Sequence, residues 1–132
     1  MNVGSQGLSF RPESQLQGIS IMAIIRNPDE MHTSRYGESC AETLLAELQP
    51  PGVAGMVARR WSLKPLGRGP QIEHGDYEEM LYIISGSGSA QVGAERYPLQ
   101  PESLLWLEHG DTYSLEAGPE GLEVLQYCAP GE

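Results

Sequence analysis

One short segment of this sequence gathers side chains that can bind a metal ion or transfer a proton. Within residues 69–86 stand His74, Asp76, Glu78 and Glu79, directly before an apolar run. Imidazole and carboxylate groups are common general acids, general bases and ligands of divalent metals. Such groups are costly to bury without a partner. Their position at the start of a predicted buried strand therefore indicates a functional site.

The composition narrows the class of protein. A length of 132 residues fits one domain, and 16 glycines with 10 prolines indicate many turns and short strands. A net charge of −10 disfavours nucleic acid and anionic membrane surfaces as partners. Because we find neither a long apolar run nor a signal segment, we expect a cytoplasmic protein. Cys40 and Cys128 are predicted to be reduced.

The N-terminal part of the chain is less regular than the rest. Residues 1–17 are polar and predict an arm, whereas residues 18–25 form a β-branched run typical of a strand. This strand is expected either in the chain's own sheet or across a dimer interface. Residues 39–48 are ambiguous, but Ser39 and Glu42 have the spacing of a helix capping box, and the composition favours a helix.

After residue 50 the pattern is that of β-structure. Residues 53–63 alternate, with Trp61 and Leu63 on one face and Arg60 on the other. Further short strands, separated by glycine and proline turns, are predicted at residues 80–84, 89–92, 95–99, 104–107, 112–117 and 122–128. This spacing predicts an antiparallel sandwich or barrel over residues 51–132, with residues 1–50 packed on it or on a partner subunit.

The order of these motifs resembles the two conserved motifs of the cupin superfamily. The first cupin motif ends in a glutamate, six further residues and a glycine, which Glu79 and Gly86 match. Pro101 begins a segment similar to the start of the second motif, and residues 108–110 resemble its Pro-x-Gly. The resemblance covers roughly residues 53–128. It implies an all-β fold, the double-stranded β-helix or jelly-roll cupin barrel, with an N-terminal extension.

The resemblance also implies where a metal would be bound. Typical cupins hold a divalent metal with two histidines, a glutamate and a final histidine. Counted from Glu79, the first two positions fall on Glu73 and Gly75, and the last falls on Tyr113. Residues two apart share a face of a strand, so His74 is out of register with Glu79. A one-residue bulge at Gly75 would return His74 to the inner face.

Two kinds of site remain open at this stage. In a metal site, His74 and Glu79 would bind iron, manganese, nickel or zinc. The remaining ligands would come from Asp76, Glu73, Tyr113 or His109. In a metal-free barrel, which is equally open, His74 would act as a base and Tyr113 as an acid, as the resemblance to metal-free cupin epimerases implies. Glu79 belongs to the predicted catalytic group in both cases.

The predicted function is binding of a small organic ligand inside the barrel. Glu73, Asp76 and Arg60 are the predicted ligand-binding residues, with Arg60 suited to a carboxylate or phosphate group. The protein is then either an enzyme of the isomerase or oxygenase kind or a non-catalytic, metal-free sensor or accessory protein. We expect a homodimer.

Overall fold

The computed structural model describes residues 25–48, 55–73, 77–108 and 110–130. The chain forms two compact units, of which the first ends at Met31. In its described part, Pro28–Glu30 forms a 3-10 turn. The Asn27 backbone N–H donates to Glu30 Oε1 at 2.9 Å and holds this turn. The predicted arm, and all of the predicted strand at 18–25 except its last residue, lie outside the described residues.

The second unit is built from β-strands, which confirms the predicted all-β fold class. Its strands are β1 (His32–Tyr36), β2 (Cys40–Leu48), β3 (Met56–Leu63), β4 (Ile72–Glu73), β5 (Tyr77–Val92), β6 (Glu95–Leu99), β7 (Leu104–Leu107) and β8 (Thr112–Pro130). All pairings between these strands are antiparallel. No helix within the described ranges is long and apolar enough to cross a membrane.

The two long strands β5 and β8 organise the sheet. The strand order is β1-β2-β3-β8-β5-β6, with β4 paired to β8 and β7 paired to β5. β5 pairs with β8 twice, once through Tyr77–Gly86 against 122–130 and once through Gly88–Val92 against 113–117. The pairing register shifts between these two stretches. Both strands therefore bend together, and each contributes to two regions of the barrel wall.

These bends correct two of the predicted turns. Residues 85–88 and 118–121 do not reverse the chain but lie within continuous strands. The bend brings the two backbones very close, because a Cβ on Gly86 would overlap the carbonyl oxygen of Gly121. Gly86 also has a φ of +85°, a conformation that side chains disfavour. The glycines expected in turns instead allow two bent strands to pair.

The structure also corrects the helix favoured for residues 39–48, which form β2. Although this segment contains good helix formers, it pairs with β3 over Cys40–Leu48 and with β1 through Cys40–Leu44. One face of β2 contributes Cys40, which is buried in the core. Tertiary pairing thus outweighs the weak local helix propensity. β1 and β2 extend the sheet beyond β3.

The core follows from alternation along the central strands, with a change of parity on β8 between Ala117 and Leu122. On β5, Glu79, Leu81 and Ile83 face inward and are almost fully buried. On β8 the inward positions are Tyr113, Leu115, Ala117, Leu122, Val124, Gln126 and Cys128. Trp61 and Leu63 on β3 complete the wall next to β8. Burial of these side chains is the main stabilising term of the barrel. Two polar side chains, Glu79 and Gln126, are buried among these apolar residues.

Candidate functional site

A cavity of about 680 Å³ opens above the two buried polar side chains. Its wall is formed by residues from β1, β2, β3, β4, β5 and β8 and from the loop before β4. The lining residues that carry polar or reactive groups include Glu42, Arg59, Trp61, Glu73, Glu79, Gln126 and Cys128. This volume is in the range of small-molecule binding sites in proteins.

Glu79 forms the buried end of this cavity. It is only 1% exposed, and its Oε2 accepts a hydrogen bond of 2.8 Å from the Tyr113 hydroxyl. Gln126 Nε2 donates to the same oxygen. Hydrogen bonds to a charged acceptor are stronger than those between neutral groups, and they offset the cost of burying the carboxylate. The position of the carboxylate is therefore fixed by donors from β8.

Trp61 fixes the orientation of the Gln126 amide. Its indole Nε1–H donates to Gln126 Oε1 at 2.7 Å. Because an indole nitrogen can only donate, the amide oxygen must face Trp61 and the amide nitrogen must face the opposite way. That nitrogen lies 3.0 Å from the Tyr113 hydroxyl oxygen as well as beside Glu79. The four side chains thus form one connected hydrogen-bond network, which we call the Glu79 network.

A second group of charged side chains lies along the cavity wall. Arg59 Nε pairs with Glu42 Oε2 at 2.5 Å, and the Tyr36 hydroxyl donates to Glu42 Oε1 at 3.0 Å. Arg59 Nη1 also lies 4.0 Å from the Cys128 sulfur. The ring centroids of Tyr36 and Trp61 are 5.5 Å apart. The Arg59–Glu42 pair is therefore held next to the Glu79 network through Trp61 and Cys128.

Solved structures with the same architecture are found in several bacteria. A cupin-2 domain protein from Rhodospirillum rubrum is 20% identical, with a TM-score of 0.62 over 83% of this chain and 75% of that one. The chain has the cupin fold. KdgF from a Halomonas species gives a TM-score of 0.64 at 14% identity, covering 80% of this chain and 94% of that one. A predicted oxalate decarboxylase from Thermotoga maritima gives 0.62 at 19% identity, covering 80% and 98%.

No protein-family model matches the sequence, and no curated protein matches it either. At these low identities, the structural likeness defines the cupin fold and leaves the chemistry to be argued from the site itself.

Of the metal positions that the resemblance implies, Glu79 keeps the cupin glutamate and Tyr113 replaces the final histidine. Tyr113 stands at the position of the final cupin histidine, and its hydroxyl donates to Glu79 instead of offering a lone pair to a metal. Among the described residues, no three His, Cys, Asp or Glu side chains are grouped as a metal site would require. Within the described residues, Glu79 Oε2 accepts hydrogen bonds from Tyr113 and Gln126. Metal binding by His74 and Glu79 stays a prediction, because His74 lies outside the described residues.

The structure brings together some of the predicted site residues and leaves others apart. Glu79 and Tyr113 are in direct contact, and Glu73 lines the cavity from its exposed edge. Tyr113 is fully buried behind Glu79, so its hydroxyl reaches the carboxylate rather than the cavity. His74, Asp76 and His109 lie outside the described residues, and their predicted roles remain predictions.

Arg60 does not line this cavity, and its predicted role in ligand binding stays a prediction. Its side chain is 46% exposed and pairs with Glu123 Oε1 at 2.9 Å. Because Trp61 faces inward, its neighbour Arg60 must point to the outer surface of the sheet. Arg59, which shares the face of Trp61, is the arginine that lines the cavity.

Gln126 and Cys128 also line the cavity, although neither was among the predicted site residues. The alternation of residues 122–128 holds a signal for Gln126, because this polar residue occupies an inward position between Val124 and Cys128. A polar residue at a predicted core position is expected to have a buried partner. Trp61 was predicted to share a face with Leu63, but its role in orienting Gln126 was not predicted.

Burial changes the acidity of Tyr113, of Cys128 in the cavity wall and of Cys40 in the core. Burial, followed by the charge of Glu79, raises the pKa of Tyr113 well above its ordinary value. The same two causes raise the pKa of the Cys128 thiol to about 12. For Cys40, burial and then Glu42 raise the pKa to about 11. Tyr113 is therefore a neutral hydrogen-bond donor to Glu79, and both thiols are protonated at neutral pH.

We expect the raised thiol pKa values to make the protein less stable in alkaline solution. Below the ordinary thiol pKa of about 8.5 the thiols are protonated in both states, and their contribution is fully present. Above that pH the unfolded chain loses thiol protons first, so stability falls as pH rises toward about 11 for Cys40 and about 12 for Cys128. Urea unfolding at pH 8 and pH 10.5 measures this loss.

Cys128→Ala provides the comparison, since it removes one titrating thiol. Its loss of stability between the two pH values is expected to be smaller than that of the unmodified protein. Equal losses in the two proteins would show that Cys128 titrates normally in the folded state.

Proposed function

We propose that this protein binds a small organic ligand in the cavity above Glu79, with the Glu79 carboxylate as the main recognition group. The observation that carries the proposal is the buried carboxylate itself, oriented by Tyr113 and Gln126 at the wall of a cavity of about 680 Å³. A carboxylate fixed by buried donors is already in place when a ligand arrives. Such preorganisation reduces the entropy that binding would otherwise cost.

The charges around the cavity favour a ligand that donates hydrogen bonds. Four of the described lining residues are the acids Glu42, Glu47, Glu73 and Glu79, against the single basic residue Arg59. The charge of Arg59 is largely neutralised by its contact with Glu42. An anionic ligand would therefore meet net repulsion, whereas hydroxyl or ammonium groups would find acceptors. We propose a neutral polyhydroxylated compound or a small amine.

The excess of acidic groups in the cavity favours a different ligand from the one that a similar fold would suggest. The Thermotoga maritima structure is described as a predicted oxalate decarboxylase, and oxalate is a dianion. A dianion is disfavoured in the cavity of this chain, which carries more acidic than basic groups. The lining residues of this chain therefore favour a neutral or cationic ligand over a dianion.

A second candidate function, proton transfer catalysed by Glu79, is favoured by one further observation. The carboxylate is 1% exposed and lines the cavity. A buried carboxylate in a fixed position is suited to act as a general base. Tyr113 would then act as a positioning residue, since it touches Glu79 and not the cavity. Uptake of deuterium by a bound ligand in D₂O would separate catalysis from binding alone.

The test of the proposed function is a binding screen with matched variants. A panel of aldoses, alditols and primary amines is compared with mono- and dicarboxylates by thermal shift, and the hits are titrated by calorimetry. We expect hits among the first three groups. Glu79→Gln is expected to weaken their binding about 30-fold, because a charge-assisted hydrogen bond contributes about 2 kcal/mol.

Glu95→Gln is the matched control, since Glu95 is exposed on β6 and does not line the cavity. This variant is expected to bind the hits like the unmodified protein. Binding of carboxylates alone, or binding that Glu79→Gln leaves unchanged, would contradict the proposed function.

A further inference from the structure

The outer surface of the central strands carries a continuous apolar surface. Met80 and Tyr82 on β5 are flanked on one side by Trp106 and Leu104 of β7. On the other side, the same two residues are flanked by Tyr127 and Leu125 of β8. These six residues form two parallel rows across three strands, which we call the outer patch.

The outer patch is contiguous, and four of its six residues are exposed. Leu104 is 57% exposed, Trp106 55%, Tyr82 38% and Tyr127 37%. Because one aromatic side chain can bury 150–250 Å², the exposed parts together amount to roughly 400 Å². Single exposed apolar residues are ordinary, but a contiguous patch of this size is often functional. Its position on the outer face also separates it from the cavity, which β5 lines through Glu79.

The distribution of charge around the outer patch indicates what kind of surface fits it. None of the six residues is charged, although the whole chain has a net charge of −10. At one edge, Leu125 is paired across the strands with Arg60, which forms an ion pair with Glu123. The patch thus has an apolar centre rich in aromatic residues and methionine, with a rim that carries both signs of charge. This arrangement is typical of protein–protein interfaces.

We propose that the outer patch binds a second copy of this chain in a two-fold symmetric dimer. A two-fold interface uses the same surface on both subunits, so that surface must be complementary to itself. The uncharged centre of the outer patch can pack against an identical centre without charge repulsion. Acidic surfaces elsewhere on the chain would repel the same surfaces of a second copy. A rim with both Arg60 and Glu123 allows opposite charges to face each other across the axis. Roughly 400 Å² of apolar surface would provide about half of the 800 Å² that each partner buries in a standard interface.

The test compares two tyrosines of equal exposure in the full-length chain. Tyr82 lies in the outer patch and is 38% exposed, while Tyr97 lies on β6 outside it and is 41% exposed. Light scattering coupled to size exclusion is expected to give twice the chain mass of 14.4 kDa for the unmodified protein. Tyr82→Lys is expected to raise the dimer dissociation constant at least tenfold, and Tyr97→Lys is expected to leave it unchanged.

Leu104→Lys provides a second disruption on another strand, and circular dichroism checks that each variant is folded. The Leu104→Lys substitution should weaken the dimer as Tyr82→Lys does, because Leu104 and Tyr82 are cross-strand neighbours. A monomeric unmodified protein at 100 µM, including one that binds lipid vesicles through this face, would overturn the proposal. A dimer that folded Tyr82→Lys and Leu104→Lys proteins both retain would overturn it as well.

Discussion

Replacing Gln126 with leucine is expected to lower the free energy of unfolding by about 3 kcal/mol. Leucine has a similar size but can neither accept from Trp61 nor donate to Glu79. The buried indole N–H would lose its acceptor, and the buried carboxylate would lose one of its donors. Each buried polar group left without its partner costs about 1–3 kcal/mol, more when it is charged. Urea unfolding followed by circular dichroism measures the difference.

Gln91→Leu is the matched control for this substitution. Gln91 also lies on a central strand, but it is half-exposed and donates locally to the Gly93 carbonyl oxygen at 3.0 Å. We expect this variant to change stability by about 0.5 kcal/mol or less, as is usual for surface positions. If Gln126→Leu were as mild as Gln91→Leu, the Glu79 network would not be a fixed unit, and its role in orienting the carboxylate would be refuted.

Gly86→Ala is expected to destabilise the barrel by about 3 kcal/mol or more. An added Cβ would overlap the Gly121 carbonyl oxygen, which belongs to the backbone of β8 and cannot move without disturbing the strand pairing. In addition, the φ of +85° is unfavourable for alanine. The expected result is a large fall in melting temperature in a thermal unfolding experiment.

Gly93→Ala distinguishes backbone strain from steric overlap as the cause of this loss. Gly93 also has a positive φ, of +59°, but no atom lies within 4 Å of an added Cβ. This variant should lose about 1 kcal/mol through backbone strain alone. The excess loss in Gly86→Ala then measures the overlap between β5 and β8. Equal losses in both variants would contradict the close pairing of the two strands at the bend.

The fold was predictable because short alternating strands, glycine and proline turns and the cupin-like motifs all agree. The errors arose where local sequence conflicts with tertiary pairing. Residues 39–48 contain helix formers, yet they pair with two neighbouring strands. Gly86 was expected in a turn, although it lies in a strand that bends without reversing. A glycine with positive φ suits both structures, so the sequence alone does not distinguish them.

The site was predicted less completely than the fold. Strand parity predicted Trp61 and Arg60 on opposite faces, and in the structure Arg60 lies outside the cavity lining. Arg59 shares the parity of Trp61 and lines the cavity, but it was not among the predicted site residues. Contact between Glu79 and Tyr113 links residues 34 positions apart, and Trp61 and Gln126 are 65 apart. Such contacts depend on the pairing of distant strands, which the order of residues does not specify.

The two tryptophans of this chain allow the central claim to be tested in one spectrum. The Trp61 indole N–H donates within the Glu79 network, whereas Trp106 lies on the outer patch. Each gives one indole signal in a ¹H–¹⁵N NMR spectrum, and Trp106→Phe assigns them. When the best polyol or amine from the screen is added, the Trp61 signal is predicted to move while the Trp106 signal stays in place. A shift of Trp106 alone, or no shift of Trp61 at saturation, would contradict ligand binding above Glu79.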